Sequence, residues 1–460
     1  MVDFKKKLKK SMVRPKEPLA IYESLDRKTG AGPLRDVQKR VLKDWYGNRF
    51  CNKDLILKLH TGEGKTLVGL LMLQTYLYNE KGPCIYVCPN ISLSQQVMRE
   101  ASKFGFNYCT TDTGIPSDFL NGKSILITHI QKVFNGKSIF KNNQCHIGCM
   151  ILDDSHACVD SIRDSFTLKI PRLYDESAKT ADLYDDLLNL FEEDLKKQGE
   201  GSFIDVKSKN TDEVICVPYW AWIEKCSDVL KSIAKYTDED YIKYTWPLVK
   251  DHLGNSHVYV SEDEVEIVPD YCAIEMFSCF DRAQHRVLMS ATTQDDSFFI
   301  RGLNFNIDAI RNPLCDDKSK WSGEKMILIP SLIDETLTRA NIVNFYARPN
   351  HNRKFGRFAI TPSFSMANDF SHFGAIVAKK ETIEQLLSSA KNGEHEKTIV
   401  LVNRYDGVDL PDDACRILIV DSLPTCQSLA DRYELNCRED SDIVNQRLAQ
   451  KIEQGIGRSV

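Results

Sequence analysis

Short apolar runs that end in polar residues recur along the first third of the chain. They lie at residues 54–59, 84–89, 124–128 and 149–154, and a fifth follows at 285–292. Apolar residues at helical spacing run from Leu67 to Tyr78, and a more polar helical pattern spans about Ser92 to Phe104. Buried strands that alternate with helices predict a doubly wound parallel sheet, whose functional residues collect where the strands end.

The hydrophobic pattern changes between about 160 and 257, where apolar positions follow a helical period among acidic and aromatic residues. We interpret this interval as a mostly helical insertion in the first α/β unit. Beyond Arg311 a polar, linker-like stretch precedes further strand-like runs, which lie at 326–330, 358–363, 398–403 and 416–424. The predicted fold class is α/β, with two parallel-sheet domains, the first of which carries the insertion.

This pattern divides the chain into five predicted parts. They are a basic N-terminal segment (1–30), the first part of domain 1 (31–159), the insertion (160–257), the return of domain 1 (258–320) and domain 2 (321–460). The N-terminal segment is rich in lysine but lacks the apolar stretch of a secretory signal. It is typical of a solvated chain end, and an arm that contacts nucleic acid is the alternative.

The composition disfavours several classes of protein, among them membrane-spanning and disulfide-rich secreted proteins. The 460 residues carry a formal net charge of −5, so nucleic-acid binding would need a local basic channel. No apolar run approaches the ~18 residues that a membrane-spanning helix needs. The 15 scattered cysteines, without a secretory signal, are typical of reduced thiols. We therefore predict a soluble, cytoplasmic protein that does not bind membranes.

A phosphate-binding motif follows the first strand. Glycines between a strand and a helix let backbone N–H groups surround a phosphate at the helix N-terminus. A lysine adds charge for the β- and γ-phosphates, and a threonine hydroxyl can ligate Mg²⁺. The residues predicted to bind a nucleotide in this way are Thr61, Gly62, Glu63, Gly64, Lys65 and Thr66, with Thr66 as a metal ligand. The general pattern has glycine at the position of Leu59, and a glycine-rich turn with a chance lysine is the alternative.

A pair of carboxylates ends the strand-like run at 149–154. Asp153 is predicted to hold a hydrated Mg²⁺, and Asp154 to polarise the water that attacks the phosphate. An Asp-Asp pair after a strand can also simply cap a helix. Because the pair follows the phosphate loop by about 90 residues, we favour the catalytic interpretation.

Six motifs resemble, in their order, those of the superfamily-2 helicases. They are TGEGKT (61–66), PNISLSQQ (89–96), DDSH (153–156), SAT (290–292), NRYDGVDLP (403–411) and QGIGR (454–458). The insertion and the return segment HVYVSEDEVEIVPDY resemble the helical arch of the XPD/DinG-like branch. The resemblance implies two RecA-like domains and the cofactors ATP and Mg²⁺. Asp154 stands where the usual DExH box has Glu, a side chain that is one methylene longer.

The resemblance also implies further nucleotide contacts. RDVQKRVL (35–42) resembles the Q motif and would place Gln38 against the adenine, although a glutamine on a helix surface is the alternative. Asp406 would contact the nucleotide from NRYDGVDLP (403–411), which corresponds to motif V of the family. Gln454 and Arg458 would face the phosphates from domain 2, with Arg458 as an arginine finger.

Other motif residues are implied to bind or move a nucleic acid. Those that would hold its backbone are Pro89, Asn90, Thr128, His129, Thr361 and Ser363. Those that would couple ATP to strand movement are His156, Ser290, Thr292, Gly407 and Asp409. The polar backbone contacts can alternatively be plain strand-end or helix caps. In the insertion, Trp220 and Trp222 could stack on bases, but a YWAW cluster is more typical of helix core.

The sequence departs from XPD-type enzymes in its cysteines. Those enzymes hold an iron–sulfur cluster, whereas the cysteines near the equivalent interval lack the close CxxC spacing of cluster ligands. They are Cys109, Cys145, Cys149 and Cys158. We therefore expect no cluster, and no zinc site, because the histidines are not at ligand spacing with cysteines. Motif VI of the family has a second arginine three residues after the first, so we expect domain 2 to continue beyond Val460.

These features predict an ATP-dependent helicase or translocase that acts on single-stranded or partly duplex nucleic acid, with DNA favoured. A role in DNA repair or in defence against phage is compatible with these features, and so is a partner protein such as a nuclease. An ATP-driven nucleic-acid sensor that recruits a partner without unwinding is the alternative, because it needs the same cleft. A scaffold with a dead site is disfavoured, because Lys65, Thr66, Asp153 and Arg458 are all present.

Overall fold

The structure, a computed structural model, covers most of the chain. It describes residues 14–60, 62–112, 114–140, 145–172, 180–208, 213–290, 297–316, 326–379, 381–405, 410, 412–424, 428–438 and 441–456. Two parallel sheets belong to two α/β domains, and an antiparallel sheet lies in the insertion. The predicted fold class is confirmed.

Domain 1 begins with two helices and then alternates strands with helices. Its first elements are α1 (Pro18–Ser24), α2 (Asp36–Asp44, continued by a π-helical turn over Trp45–Arg49), β1 (Asp54–Lys58), α3 (Lys65–Tyr78), β2 (Cys84–Cys88), α4 (Ile91–Phe104), β3 (Tyr108–Cys109), α5 (Ser117–Leu120), β4 (Ile125–His129), α6 (Ile130–Val133), β5 (Cys149–Leu152) and α7 (Ser155–Phe166). The apolar strands β1, β2, β4 and β5 are buried almost throughout, as expected where helices cover both faces of a sheet.

The insertion, taken from here on as the segment from β6 to β9, combines helices with a small antiparallel sheet that includes the start of the predicted return segment. Its elements are β6 (Leu168–Pro171), α8 (Thr180–Gln198), α9 (Glu200–Ser208), β7 (Val214–Cys216), α10 (Tyr219–Ala234), α11 (Asp240–Lys243), α12 (Trp246–Val249), a 3₁₀ turn (Leu253–Asn255), β8 (Ser256–Ser261) and β9 (Glu264–Pro269). The strand order is β6-β9-β8-β7. The helical pattern predicts the helices but not β6 and β7, because strands of four and three residues are too short to show alternation.

The chain returns to the first sheet after the insertion. The returning elements are a 3₁₀ turn (Ile274–Met276), α13 (Ser278–Asp281), β10 (His285–Ser290), α14 (Ser297–Arg301) and α15 (Ile307–Arg311). Strand β10 lies between β1 and β5, and the described sheet runs β1-β10-β5-β2-β4-β3. A buried ion pair joins β10 to β1, because Arg286 Nε and Nη2 donate to the two carboxylate oxygens of Asp54 at 2.6 and 2.8 Å.

Domain 2 has a smaller parallel sheet. Its elements are α16 (Pro330–Ile333), α17 (Arg339–Ala347), β11 (Arg357–Thr361), α18 (Phe364–His372), β12 (Ile376–Val377), α19 (Ile383–Lys391), β13 (Ile399–Val402), a 3₁₀ turn (Asp412–Ala414), β14 (Ile417–Val420), α20 (Leu429–Cys437) and α21 (Asp442–Ile456). The described strands follow the order β12-β13-β11-β14, and the predicted runs at 358–363, 398–403 and 416–424 correspond to β11, β13 and β14.

The strand predicted at 326–330 is wrong. The side chains of residues 326–329 are 51–85% exposed, and no described strand pairs with them. Pro330 instead begins α16, at a position where its missing N–H costs nothing. An apolar run alone does not make a strand, because the strand also needs a neighbour that satisfies its backbone.

Two hydrophobic cores cover the faces of the first sheet. One packs α1, α2 and α3 against it, and α3 is buried on nearly every side. The other continues without a break from Ile56 of β1 to Trp222 of α10. The insertion therefore shares a core with domain 1. Among the described helices, none has both the length and the apolar content needed to cross a bilayer.

The insertion also contacts domain 2, through α20. Glu266 of β9 is fully buried, and its Oε2 accepts the N–H groups of Leu429 at 2.7 Å and Ala430 at 3.4 Å. These residues form the first turn of α20, where a carboxylate is favoured by the helix dipole. The rings of Tyr259 on β8 and Tyr433 on α20 lie 5.4 Å apart. The insertion thus bridges the two domains.

Candidate active site

The phosphate loop joins β1 to α3 with a backbone that requires glycine. Gly62 has a φ of +84° and Gly64 a φ of +77°, which other residues rarely adopt. A Cβ on Gly64 would also lie 2.3 Å from Gln38 Nε2. Helix α3 begins at Lys65, so its first N–H groups lack partners within the helix and form an anion site. Thr61 lies outside the described residues.

Side chains of domain 1 hold the loop in shape. Gln38 is buried, its Oε1 accepts the N–H of Arg35 at 2.9 Å, and its Nε2 donates to the carbonyls of Glu63 at 3.0 Å and Gly64 at 3.3 Å. The carboxylate of Glu63 accepts the N–H of His60 at 2.8 Å. Gln38 therefore braces the loop directly, and its contact with adenine stays a prediction.

Asp153 is fixed by three hydrogen bonds at the end of β5. Its N–H donates to the Val87 carbonyl at 2.9 Å, its Oδ2 accepts the Tyr86 hydroxyl at 2.8 Å, and its Oδ1 accepts the Asp154 N–H at 3.0 Å. Desolvation raises the pKa of Asp153, while the nearby Lys65 ammonium and the Tyr86 hydroxyl lower it. The positive charge of Lys65 therefore stabilises the ionised form of Asp153, which is the form that binds a metal ion.

The second carboxylate does not act as a helix cap. Asp154 has a φ of +49° before α7, and its side chain makes no capping hydrogen bond. The Thr66 hydroxyl and the Asp153 carboxylate are hard oxygen donors of the kind that Mg²⁺ prefers. The residues present therefore fit the predicted metal, which Thr66 and Asp153 would hold.

The carboxyl ends of three neighbouring strands bring these groups together. Because β10 separates β1 from β5, its last residue, Ser290, lies between the phosphate loop and Asp153. The Leu59 N–H donates to the Ser290 carbonyl at 3.1 Å. His156 lies in the first turn of α7, beside the paired carboxylates. Thr292 lies outside the described residues.

Comparison with known proteins finds a family match within domain 1. Residues 35–181, which include the phosphate loop and the paired carboxylates, match the DEAD/DEAH box helicase family. This part of domain 1 is therefore similar to the DEAD/DEAH box helicases. No curated protein sequence matches the chain significantly.

Solved structures extend the likeness beyond residues 35–181. The chain is similar to S. tokodaii Xpd4, with 17% identity and a TM-score of 0.55 over 92% of each chain. It is also similar to a structure described as an XPD helicase, with 12% identity and a TM-score of 0.53 over 92% of this chain and 93% of that chain. An apo XPD structure gives 12% identity and a TM-score of 0.51 over 92% of each. At 12–17% identity this likeness shows a shared fold, so the predicted resemblance to the XPD-like branch is confirmed for the fold.

Domain 2 is predicted to complete the nucleotide site, and the structure describes only some of the residues involved. Helix α21 carries Gln454, but the described part includes neither the Gln454 side chain nor Arg458, Asp406, Gly407 and Asp409. A Cβ on Gly455 would lie 3.1 Å from Tyr405 Cδ1 and 3.4 Å from Ile360 Cδ1. Helix α21 therefore packs directly on β11. The roles assigned to Gln454, Arg458 and the motif V residues stay predictions.

The predicted nucleic-acid contacts lie where strands end. Pro89 and Asn90 follow β2, Thr128 and His129 end β4, Thr361 ends β11, and Ser363 precedes α18. Several of them already have structural partners. Asn90 Oδ1 accepts the Leu93 N–H at 2.9 Å and Ser363 Oγ accepts the Met366 N–H at 3.3 Å, so both cap helices. Thr128 and Thr361 are almost fully buried, whereas His129 is half-buried. Binding of nucleic acid by these residues stays a prediction.

The two tryptophans of the insertion differ in environment. Trp222 is buried, and its Nε1 donates to the Leu253 carbonyl at 2.7 Å, so the core interpretation is right for this residue. Trp220 is 59% exposed and packs edge-on against Tyr219 at 5.3 Å between ring centroids. Base stacking by Trp220 stays a prediction.

The four cysteines considered as cluster ligands lie in or against the core. Cys149 and Cys158 are fully buried, and Cys109 and Cys145 are partly buried. Desolvation raises the pKa of each of the four thiols. A raised pKa disfavours the thiolate that binds metal.

Proposed function

We propose that this chain is an ATP-dependent helicase or translocase, which hydrolyses ATP between its two α/β domains and moves along nucleic acid. The observation that carries the proposal is the geometry of the helicase domain. Lys65, at the start of α3 after β1, and Asp153, at the end of β5, lie at the same edge of the sheet, with β10 alone between their two strands. A helix N-terminus, a lysine, a threonine hydroxyl and a carboxylate are the groups that phosphoryl transfer from a nucleoside triphosphate needs.

Each residue of the site has a distinct proposed task. Lys65 and the first N–H groups of α3 bind the β- and γ-phosphates. Thr66 and Asp153 hold Mg²⁺, which neutralises phosphate charge when bound. Asp154 orients the attacking water, and the loop brace from Gln38 fixes the position of the phosphates.

Domain 2 completes the proposed cycle. Gln454 and Arg458, at the end of α21, stabilise the charge that develops on the γ-phosphate. ATP that contacts both domains favours a closed arrangement, and loss of the γ-phosphate favours an open one. If the strand-end residues of each domain grip the backbone in different states, repeated cycles move the strand.

For the substrate we propose single-stranded or partly duplex nucleic acid, and we favour DNA because the resemblance is to the XPD/DinG-like branch. A nuclease-type partner and a role in repair or phage defence accord with that branch. We propose a cytoplasmic location, because every cysteine of the described residues is a free thiol, as is typical of a reducing compartment.

ATPase measurements on matched variants test the nucleotide site. Lys65→Ala removes a cation that stabilises the transition state, and Asp153→Asn weakens the hold on Mg²⁺, so each should lower kcat/KM by about 10²-fold or more. Lys43→Ala and Asp186→Asn change exposed residues of the same types and should leave turnover unchanged. Asp154→Ala should lower kcat more than nucleotide affinity. Wild-type turnover in Lys65→Ala or Asp153→Asn would remove the site assignment.

A strand-displacement assay tests the motor. Single strands should stimulate hydrolysis, and a partly duplex DNA should be separated in the presence of ATP. Stimulated hydrolysis without displacement or translocation would make the protein an ATP-driven sensor instead. Equal stimulation by DNA and RNA would remove the preference for DNA.

A further inference from the structure

The hydroxyl of Tyr86 is a buried polar group to which the proposed nucleotide site gives no task. Tyr86 is the central residue of β2, in the otherwise aliphatic run Cys84–Cys88, and its side chain is fully buried. The hydroxyl donates to Asp153 Oδ2 at 2.8 Å. In the sheet, Tyr86 pairs with Ile151 of β5, two residues before the carboxylate that it contacts.

Helix α3 holds the tyrosine ring from the other side. A Cβ on Gly69 would lie 3.0 Å from Tyr86 Cε2 and 3.1 Å from Met289 Sδ. Gly69 follows Lys65 by four residues, which is about one helical turn. The ring therefore lies between the helix that begins at the phosphate loop and the strand that ends at Asp153. It has little room to move, because tight packing on the α3 side restricts it.

We propose that Tyr86 is a positioning residue, whose hydroxyl fixes the orientation of the Asp153 carboxylate for the metal–nucleotide complex. The proposal rests on the proposed ATP-dependent function. Asp153 Oδ1 accepts the Asp154 N–H and Oδ2 accepts the Tyr86 hydroxyl, so the plane of the carboxylate is set by one donor on each oxygen. Each carboxylate oxygen keeps a second lone pair for a metal or its bound water. Groups that orient a metal ligand commonly change affinity or activity about 10–100-fold when removed.

Tyr86→Phe tests this role, because it removes one oxygen and keeps the ring in the sheet. The first readout is binding of a fluorescent (N-methylanthraniloyl) ADP in Mg²⁺ and in EDTA. Tyr86→Phe should leave affinity in EDTA within twofold of wild type and lower the gain that Mg²⁺ provides by about tenfold. The second readout is ATPase activity, in which the half-saturating Mg²⁺ concentration should rise by about the same factor. KM for ATP at saturating Mg²⁺ should change less than twofold.

Tyr76→Phe is the matched control. Tyr76 lies on α3, is also buried, and donates its hydroxyl to the Phe50 carbonyl at 2.5 Å, away from Asp153. It should reproduce any general loss of stability without the change in Mg²⁺ dependence. In an Asp153→Asn background, adding Tyr86→Phe should have no further effect on Mg²⁺ dependence, since the two residues act as one unit.

Two results would overturn the positioning role. One is an unchanged Mg²⁺ gain in Tyr86→Phe, and the other is an equal loss in Tyr76→Phe. If the wild-type protein binds the magnesium nucleotide but does not hydrolyse ATP, the proposed function fails while the binding readout still decides the role of Tyr86. A thermal melt of each variant shows whether it is folded.

Gly69→Ala crowds the Tyr86 ring without removing its hydroxyl. It should therefore shift the Mg²⁺ dependence in the same direction as Tyr86→Phe.

Discussion

Replacing Glu266 with glutamine should remove a loss of stability that the wild-type protein undergoes between pH 5 and pH 8. Glu266 is fully buried between the insertion and domain 2, where it accepts two N–H groups at the start of α20. Burial raises its pKa from an ordinary 4.5 to about 7, although the Lys169 ammonium, 3.6 Å away, and the amide donors of Leu429 and Ala430 lower it. Glu264 raises it further by like charge. The ionised form is therefore disfavoured in the folded protein.

The pKa difference gives the magnitude and the sign. One pKa unit corresponds to about 1.4 kcal/mol, so a rise from 4.5 to about 7 is worth roughly 3 kcal/mol. The folded state binds the proton of Glu266 more tightly than the unfolded state. Its contribution to stability is therefore fully present below pH 4.5 and is lost as the pH rises to 7. Glutamine carries no charge and removes this loss.

The effect of Glu266 is measured as the free energy of unfolding of Glu266→Gln minus that of the wild type, because other groups also titrate in this range. Burial lowers the pKa of His285 to about 4, so its contribution is present above pH 6.5 and is lost as the pH falls towards 4. Over this range the effects of His285 and Glu266 oppose each other in the wild type. His285 is the same in both proteins, and its effect cancels when the two free energies of unfolding are subtracted.

Urea unfolding at pH 5, 6, 7 and 8 provides the assay. The free energy of unfolding of Glu266→Gln minus that of wild type should increase by about 2–3 kcal/mol from pH 5 to pH 8. Glu224→Gln, an exposed carboxylate on α10, should show no such trend. A difference that does not change with pH, or one that falls towards pH 8, would refute the reasoning.

Three further variants test packing elsewhere. Asp54→Asn leaves the guanidinium of Arg286 buried without its counter-charge and should lower the free energy of unfolding in urea by about 3–5 kcal/mol. Gly64→Ala should weaken binding of a fluorescent ATP analogue at least tenfold, because of its positive φ and the 2.3 Å approach to Gln38; unchanged affinity would contradict the loop geometry. Trp222→Phe leaves the buried Leu253 carbonyl without its donor and should lower the melting temperature by several degrees, whereas Trp220→Phe, at an exposed position, should not.

The sequence predicts those parts of the fold that depend on local pattern. Continuous apolar runs predict β1, β2, β4, β5 and β10, and a glycine-rich loop before a helix predicts the phosphate site. Because parallel strands end at one edge, the pattern also predicts that Asp153 lies near Lys65. The run at 326–330 is misread because its exposure depends on its neighbours and not on its own composition.

Contacts between distant segments could not be predicted in this way. Glu266 and Leu429 are separated by 163 residues, and a glutamate within a strand gives no sign of the helix terminus that it contacts. The role of Tyr86 has a weak signal, since a single tyrosine interrupts an aliphatic buried strand. A buried hydroxyl needs a partner, but only the register of β2 against β5 shows that the partner is Asp153.

Gln38 shows how the structure limits a role that the resemblance supplies. The side-chain amide has two N–H donors, and these already face the carbonyls of Glu63 and Gly64. Its oxygen has two lone pairs, of which the Arg35 N–H uses one. If Gln38 reads the base without releasing the loop, it can do so only through the remaining lone pair. That lone pair can accept the 6-amino group of adenine but would face the 6-carbonyl oxygen of guanine, so a preference for ATP over GTP would follow from the same bonds that hold the phosphate loop.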